Sequence, residues 1–527
     1  MNTEITGKSI IGSCRGSETA DTFTAFDPTT GEPIDPPFHS ATPDELNKAA
    51  QLADDARLAY ASVSPESRAR FLRAIADNIE ALGETLIERA SLETALPNQR
   101  FEGERARTCG QLRMFADLLE EGSWVDARID HAIPDRKPIP KPDVRSMLRP
   151  LGPVAVFCAS NFPLAYSVAG GDTASALAAG CPAIVNGHTA HPGTAELVGT
   201  AVSKAVCDCG MPEGTFNLLF SSGYEIGQAL VKHPAIKAVG FTGSRMGGRA
   251  LMDIAAARPE PIPVYAEMSS VNPTFILPSA VKERGDAIAA GLHASVTGGV
   301  GQFCTKPGLV FVPGDENSDV FVSKVRGLVT ATEPLPLLTG GIQNSYEKAS
   351  RHREGEVEVA AANNKSGLEG FAVNPSIFET PAISYLKTPD LNEEIFGPTT
   401  LLIRSNDREQ LLRIARSLEG QLTASIHGTE EDLAEYSDLI AILETKVGRL
   451  IFNGFSTGVE VCASMVHGGS YPATSDGRST AVGTRAITRF SRLVCYQNFP
   501  QDALPDELRD GNPRKIWRMV DGEFGRA

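Results

Sequence analysis

Between Val154 and Phe241 the hydrophobic positions come in short unbroken runs separated by longer stretches of small and polar residues. The runs Val154 to Phe157, Ala183 to Val185, Phe216 to Phe220 and Ile236 to Phe241 read as strands buried on both faces. The small-residue stretch through Ala179 and the segment after Pro192 read as helices. Strands alternating with helices in this way make a parallel sheet covered on both sides. Upstream, an extended opening runs through Phe26-Asp-Pro-Thr-Thr-Gly31. Helical periodicity begins near Thr42-Pro-Asp-Glu45, where Thr42 can cap and Pro43 suits the first turn, and helices continue to about Leu119. Residues 133–142 are polar and proline-rich, unsuited to a helix interior, and link into an extended arm before Met147-Leu-Arg-Pro-Leu-Gly152.

A chain of 527 residues exceeds the size at which one core keeps growing, so two or three domains are expected. The net charge of −16 and isoelectric point near 5.2, with no offsetting basic stripe, argue against nucleic-acid and anionic-membrane partners. A small anionic substrate would need a local positive site. The start Met1-Asn-Thr-Glu-Ile-Thr lacks the features of a secretory signal and no apolar run is long enough to span a bilayer, so a cytoplasmic protein is expected. Nine cysteines, an odd number, do not form a disulfide framework; Cys207 and Cys209 are too close and too isolated for a zinc site, and no metal is expected.

Cys304 stands apart from the other thiols. It lies in Gly-Gly-Val-Gly-Gln-Phe-Cys-Thr-Lys-Pro-Gly (298–308), between a helical segment and the apolar run Leu309-Val-Phe-Val312, where a substrate can approach from several sides. A structural cysteine is normally packed among bulky apolar groups. Upstream, Pro263-Val-Tyr-Ala-Glu-Met-Ser-Ser-Val-Asn-Pro273 ends a strand-like stretch on Glu267, a candidate base for the thiol or for water. Only a thiolate attacks, and an ordinary thiol with a pKa near ~8.5 is mostly protonated at neutral pH, so a base or aligned amides must assist it.

These two loops, with Ser160-Asn-Phe-Pro163, Phe241-Thr-Gly-Ser-Arg-Met-Gly-Gly248 and Glu393-Glu-Ile-Phe-Gly-Pro398, resemble the aldehyde dehydrogenase superfamily in order and spacing from about Phe23 to Cys495. The resemblance implies an α/β fold with a Rossmann-type cofactor domain (1–131 and 151–268), a second α/β catalytic domain (269–451) and an oligomerisation arm (132–150 and 481–499). Residues 452–480 would return to line a substrate tunnel, and 500–527 would form a tail. It implies that Cys304 attacks an aldehyde, that hydride leaves to NAD(P), and that Glu267 activates the water that hydrolyses the thioester. Asn161 becomes an oxyanion donor beside the backbone N–H of Cys304. Gly243, Ser244 and Gly248 contact the cofactor at a helix start, Glu394 and Phe396 hold its nicotinamide end, and Phe162, Phe303 and Val459 line the tunnel.

Within the superfamily, Gly170-Gly-Asp-Thr-Ala-Ser175, His188 with His191-Pro192, the segment from Phe452 to Thr480 and the closing Val494-Cys-Tyr-Gln-Asn-Phe-Pro500 are similar to the alpha-ketoglutarate semialdehyde (2,5-dioxovalerate) dehydrogenases. The implied reaction yields 2-oxoglutarate in sugar-acid or hydroxyproline breakdown, by a homodimer or homotetramer. The alternatives are a general or long-chain fatty aldehyde dehydrogenase and a non-catalytic homologue of the fold. One departure bears on the cofactor: Asn186-Gly-His-Thr189 lacks the acid that grips both ribose hydroxyls in many members, so Thr189 permits NADP as well as NAD. Asn186 and Tyr224 bring no positive charge; His188 is either a compensating group or a solvated loop histidine. For a distal substrate carboxylate, Arg113, Arg478 and Arg485 are candidates because carboxylates favour a bidentate guanidinium.

Overall fold

A computed structural model describes residues 4–526; the first three residues of the opening segment read above lie outside the described residues. Its first sheet runs, in spatial order, Val264–Glu267, Ala238–Thr242, Val154–Phe157, Ala183–Asn186, Phe216–Leu219, Ile10–Ile11 and Cys14–Arg15. The first five strands pair in parallel and the two N-terminal ones are antiparallel. Alternate residues of each strand feed opposite faces, as a two-residue period requires. Val154, Val156, Ala183 and Val185 join one core with the helices Pro65–Glu80, Asn98–Glu121 and Pro192–Asp208, whereas Ala155 and Ile184 join another with Pro43–Ala61, Glu225–Lys232 and Arg245–Ala256. Helix Pro43–Ala61 starts on Thr42, whose side chain accepts from the Glu45 N–H while Glu45 reaches back to the Thr42 N–H.

Strand order reverses beside Val154–Phe157: the next two strands lie on one side and the following two on the other. An open α/β sheet has its ligand crevice at the carboxyl ends of the strands flanking such a reversal. The second sheet has the order Glu358–Ala362, Ser376–Pro381, Thr399–Ser405, Leu309–Pro313, Thr274–Ile276, Thr423–His427 and Arg449–Phe452, parallel throughout except for its first strand. Residues 268–273 pass directly from the edge strand of the first sheet into the second.

A third sheet holds Ser491–Gln497, Val144–Pro150, Arg128–Asp130, Arg518–Val520 and Glu523–Gly525. This corrects the division made on sequence, which set 500–527 apart as a tail and placed Arg128–Asp130 in the cofactor domain. Leu504, Leu508 and Ile516 are buried against Ile129 and Met147, so residues 504–525 pack into this third sheet. Their irregular spacing in a polar, proline-containing stretch hides them from a periodicity argument. Among the described residues no helix is long and apolar enough to cross a membrane.

Candidate active site

Helix Pro278–Thr297 delivers the chain to an unusual turn. Gly299, Val300 and Gly301 all have left-handed φ values, of 55°, 56° and 68°. A β-branched residue rarely adopts that region, and Val300 is held there because its side chain packs with Leu337, Tyr346, Val373 and Ile395. Gly301 has no alternative: a Cβ would sit 2.2 Å from the Gly397 carbonyl oxygen, so the cysteine loop lies directly on the Glu393-Glu-Ile-Phe-Gly-Pro398 turn.

Three side chains then pin the loop. Asn272 Nδ2 donates to the Cys304 and Lys306 carbonyls at 2.8 and 3.0 Å. Ser456 Oγ donates to the Thr305 carbonyl at 2.6 Å. The buried Lys306 ammonium donates to the Ile395 and Thr399 carbonyls at 2.9 and 2.7 Å. Lys306 is also the counter-charge of Glu394, which sits beside the Ser269 hydroxyl and Ser270 N–H. Burial raises the Glu394 carboxyl and lowers the Lys306 ammonium, each partly offset by the other. Phe396 is half-buried in the same turn.

Cys304, half-buried, meets Glu267 and a residue that sequence reasoning passed over. His467 Nε2 lies 3.7 Å from Cys304 Sγ and 2.9 Å from Glu267 Oε1, and the three ligand atoms all fall within 4.8 Å of one another. Glu267 ends its strand, as expected, and is fixed by a bridge to Thr474 on the returning C-terminal segment that also carries His467. The only sequence signal for His467 is a lone histidine before Gly468-Gly469, indistinguishable from a loop residue until the chain has folded. Burial, then the negative charge of Glu267, pushes the Cys304 thiol well above its ordinary value. Burial would raise the Glu267 carboxyl too, but the imidazole of His467 and the contact with Cys304 hold it below the usual carboxylate range.

Asn161 is brought to the same place: its Nδ2 donates to the Gln302 carbonyl at 2.8 Å, leaving its second amide hydrogen unassigned. The Cys304 N–H has no hydrogen-bond partner among the described residues. Over the thiol opens a cavity of about 680 Å³ lined by Phe162, Phe303 and Val459 together with Arg100, Arg107, Tyr166 and Arg449. The Phe162 and Phe303 rings meet edge to face at 5.6 Å, and the Arg100 guanidinium covers Phe162 at 4.3 Å. The three arginines proposed on sequence for a distal carboxylate are elsewhere. Arg113 pairs with Asp77 and Glu80, Arg478 is exposed beside Asp476, and Arg485 is exposed outside this cavity.

Of the residues assigned on sequence to the cofactor, Asn186, His188, Thr189, Gly243, Ser244 and Gly248 lie at or just after the carboxyl ends of strands of the first sheet. Ser244 caps helix Arg245–Ala256, accepting from the Gly247 N–H at 3.1 Å, and the Met246 N–H at the helix start has no partner among the described residues. Helix Pro192–Asp208 offers no such free end, since Glu93 accepts from the Gly193 and Thr194 amides. Tyr224 and Met246 stand exposed at the starts of neighbouring helices. A free amide at a helix start and exposed apolar groups beside it fit a dinucleotide. Packing demands the glycines as well: a Cβ at Gly243 or Gly248 would come within 2.7 Å of Phe241 or Met268. Thr189 is exposed, and the Asn186 amide oxygen accepts from Ser221. His188 does not supply the compensating charge considered on sequence. It is stacked on His191 at 5.6 Å, and burial, then His191, lowers its imidazole to about 3, which keeps it neutral.

The aldehyde dehydrogenase family model matches residues 15–491. The chain belongs to that family. It is 49% identical to alpha-ketoglutaric semialdehyde dehydrogenase 2 of Azospirillum brasilense over 99% of both chains. It is 45% identical to the alpha-ketoglutaric semialdehyde dehydrogenase of Acinetobacter baylyi, over 98% of this chain and 99% of that one. The fold matches the NAD+ complex structure of an aldehyde dehydrogenase from Bacillus cereus with a TM-score of 0.79 at 22% identity, over 93% of this chain and 96% of that one. The protein is thus an NAD(P)-dependent oxidoreductase acting on an aldehyde, and its Cys304–His467–Glu267 cluster sits where the two large sheets meet.

The electrostatics of the cluster predict a pH response. With burial and Glu267 both opposing ionisation, thiolate is scarce at neutral pH and its fraction rises with pH. Alkylation of Cys304 by iodoacetamide should therefore keep accelerating into the alkaline range. In Glu267→Gln the repelling charge is gone, and the midpoint of the rate profile should fall by about one pH unit or more. An unchanged or higher midpoint would show that Glu267 does not control the thiol.

Proposed function

We propose that this enzyme oxidises alpha-ketoglutarate semialdehyde to 2-oxoglutarate. The observation carrying this reading is the arginine-lined cavity over Cys304: a chain of net charge −16 gathers guanidinium groups around its thiol, as a short anionic aldehyde requires. The names of the two full-length relatives support it.

Cys304 Sγ attacks the aldehyde carbon, its proton passing to the His467–Glu267 pair, and a hemithioacetal forms. Charge gathers on the former carbonyl oxygen, where the Cys304 N–H and the Asn161 amide donate hydrogen bonds, strengthening as charge develops. Glu394 and Phe396 would hold the nicotinamide end of NAD(P), which when bound would accept the hydride whose loss turns the hemithioacetal into a thioester. Glu267 then takes a proton from water, which attacks the thioester and releases the acid and the thiol. The Cys304–His467–Glu267 contacts favour catalysis over a non-catalytic homologue, and three arginines in the cavity disfavour long apolar aldehydes.

NADP serves at least as well as NAD in this reading. Thr189 stands where an acid would repel the 2′-phosphate, while Asn186 and the neutral His188 add no attraction, so the tolerance rests on missing repulsion. The assembly is a homodimer or homotetramer joined through the third sheet, whose edge strands leave Leu493 and Phe524 exposed. Light scattering reporting a monomer at micromolar concentration would count against that assembly.

Two kinetic measurements bear on the reaction. Across alpha-ketoglutarate semialdehyde, succinate semialdehyde, glutarate semialdehyde, pentanal and a long-chain aldehyde, kcat/KM should be highest for the carboxylated aldehydes. A preference for the long apolar chain would overturn the substrate assignment. With either cofactor, Thr189→Glu should shift the kcat/KM ratio towards NAD by at least about tenfold; no shift would place the 2′-phosphate away from position 189.

A further inference from the structure

Five charged side chains line the cavity over Cys304: Arg100, Arg107, Arg449, Glu104 and Glu460. Glu104 is committed, since one carboxylate oxygen accepts from the Leu164 and Ala165 amides at 2.9 Å and the other faces Arg100 at 3.4 Å. Glu460 is exposed at the rim. Arg107 and Arg449 have no carboxylate partner among the described residues. They come from distant elements, helix Asn98–Glu121 and strand Arg449–Phe452, and converge on one loop. Arg449 donates to the Ser456 and Gly458 carbonyls at 2.6 and 3.0 Å. Arg107 donates to the Val459 carbonyl and to the Tyr166 hydroxyl, the latter at 3.2 Å. In both, the Nε–H is buried without a partner.

Neutral carbonyls satisfy part of a guanidinium's donor set but none of its charge, and these half-buried cations each keep a buried Nε–H without a partner and no counter-ion, which is unfavourable. The same loop ties these cations to the nucleophile, because Ser456 Oγ holds the Thr305 carbonyl next to Cys304. We propose that Arg449 and Arg107 form the site for the distal carboxylate of the substrate, completing their charge pairing only when a short aldehyde acid has its carbonyl at Cys304. The ligand class is an aldehyde whose far end is a carboxylate a few bonds away, including 2-oxo acids. The proposal rests on the semialdehyde reading above and assigns its specificity to two residues outside the bond-making cluster.

The test compares Arg449→Gln and Arg107→Gln with the unaltered enzyme on alpha-ketoglutarate semialdehyde, glutarate semialdehyde and pentanal. Each variant should lose roughly 100-fold in kcat/KM on the carboxylated aldehydes, mostly through KM, and less than about tenfold on pentanal. Arg449→Lys, which keeps the charge, should retain part of the preference. Parallel losses on all three substrates, or an unchanged ratio, would overturn the site. Should the unaltered enzyme show no preference for carboxylated aldehydes, the semialdehyde reading fails; if it shows one that neither variant alters, that reading stands and the two-arginine site fails. A measurement independent of variant folding uses the unaltered enzyme. There 2-oxoglutarate should compete with aldehyde at least about tenfold more tightly than pentanoate, and equal inhibition would also overturn the proposal.

Discussion

The site depends on the buried amide of Asn272, which sits in the short passage between the two large sheets with a left-handed φ of 45°. Its Nδ2 holds the carbonyls on either side of Thr305, and its Oδ1 accepts from the Ser270 and Thr423 hydroxyls. One side chain thereby couples the segment leaving Glu267, the Cys304 loop and the strand Thr423–His427. A buried amide with its bonds satisfied fixes geometry more sharply than apolar packing, since any displacement leaves polar atoms without partners. The left-handed turn at residues 299–301 can persist only inside such a frame, with Gly301 pressed on Gly397 and Lys306 tied to the far side of that turn.

Burial also sets the chemistry. Each ionisable group at the site would be neutral if desolvation acted alone, and each departure from neutrality comes from a specific neighbour. Glu267 is held below the usual carboxylate range against its burial by contact with His467, and burial, then the charge of Glu267, raises the Cys304 thiol. The ionisation of the thiol and that of the carboxylate are thus set by one another and by the groups packed against them. Lys306 and Glu394 repeat this logic a few residues away, joining the thiol loop to the Glu393-Glu-Ile-Phe-Gly-Pro398 turn.

Charge elsewhere follows a different rule. Most ion pairs lie on the surface, such as Arg113 with Asp77 and Glu80, and are screened by solvent. Arg107 and Arg449 over Cys304 are held by carbonyls, and Arg107 also by the Tyr166 ring, which place them without neutralising them. An acidic protein can therefore present a positive pocket to a small anion while repelling larger polyanions at its surface.

Several features were legible in the chain alone because they are local. The strand runs from Val154 to Phe241, the Thr42 cap, the glycine turn before Cys304 and the strand ending on Glu267 each depend on neighbouring residues whose periodicity or turn chemistry is written in order. The family resemblance pointed further, to Asn161, Phe162, Phe303 and Val459, which the fold places beside Cys304. What only the tertiary structure decided are the long-range meetings. His467 reaches Cys304 across 163 positions, Arg107 reaches the carbonyl of Val459 across 352, and Leu508 packs beside Ile129 of the third sheet. None of these has a local signature, since a histidine before two glycines, an arginine on a helix and a leucine in a polar tail look the same wherever they end up. For the same reason arginines chosen for their chemistry alone, at 113, 478 and 485, fell outside the cavity. Residue type states what a side chain can bind, and only the packing of distant elements determines what it meets.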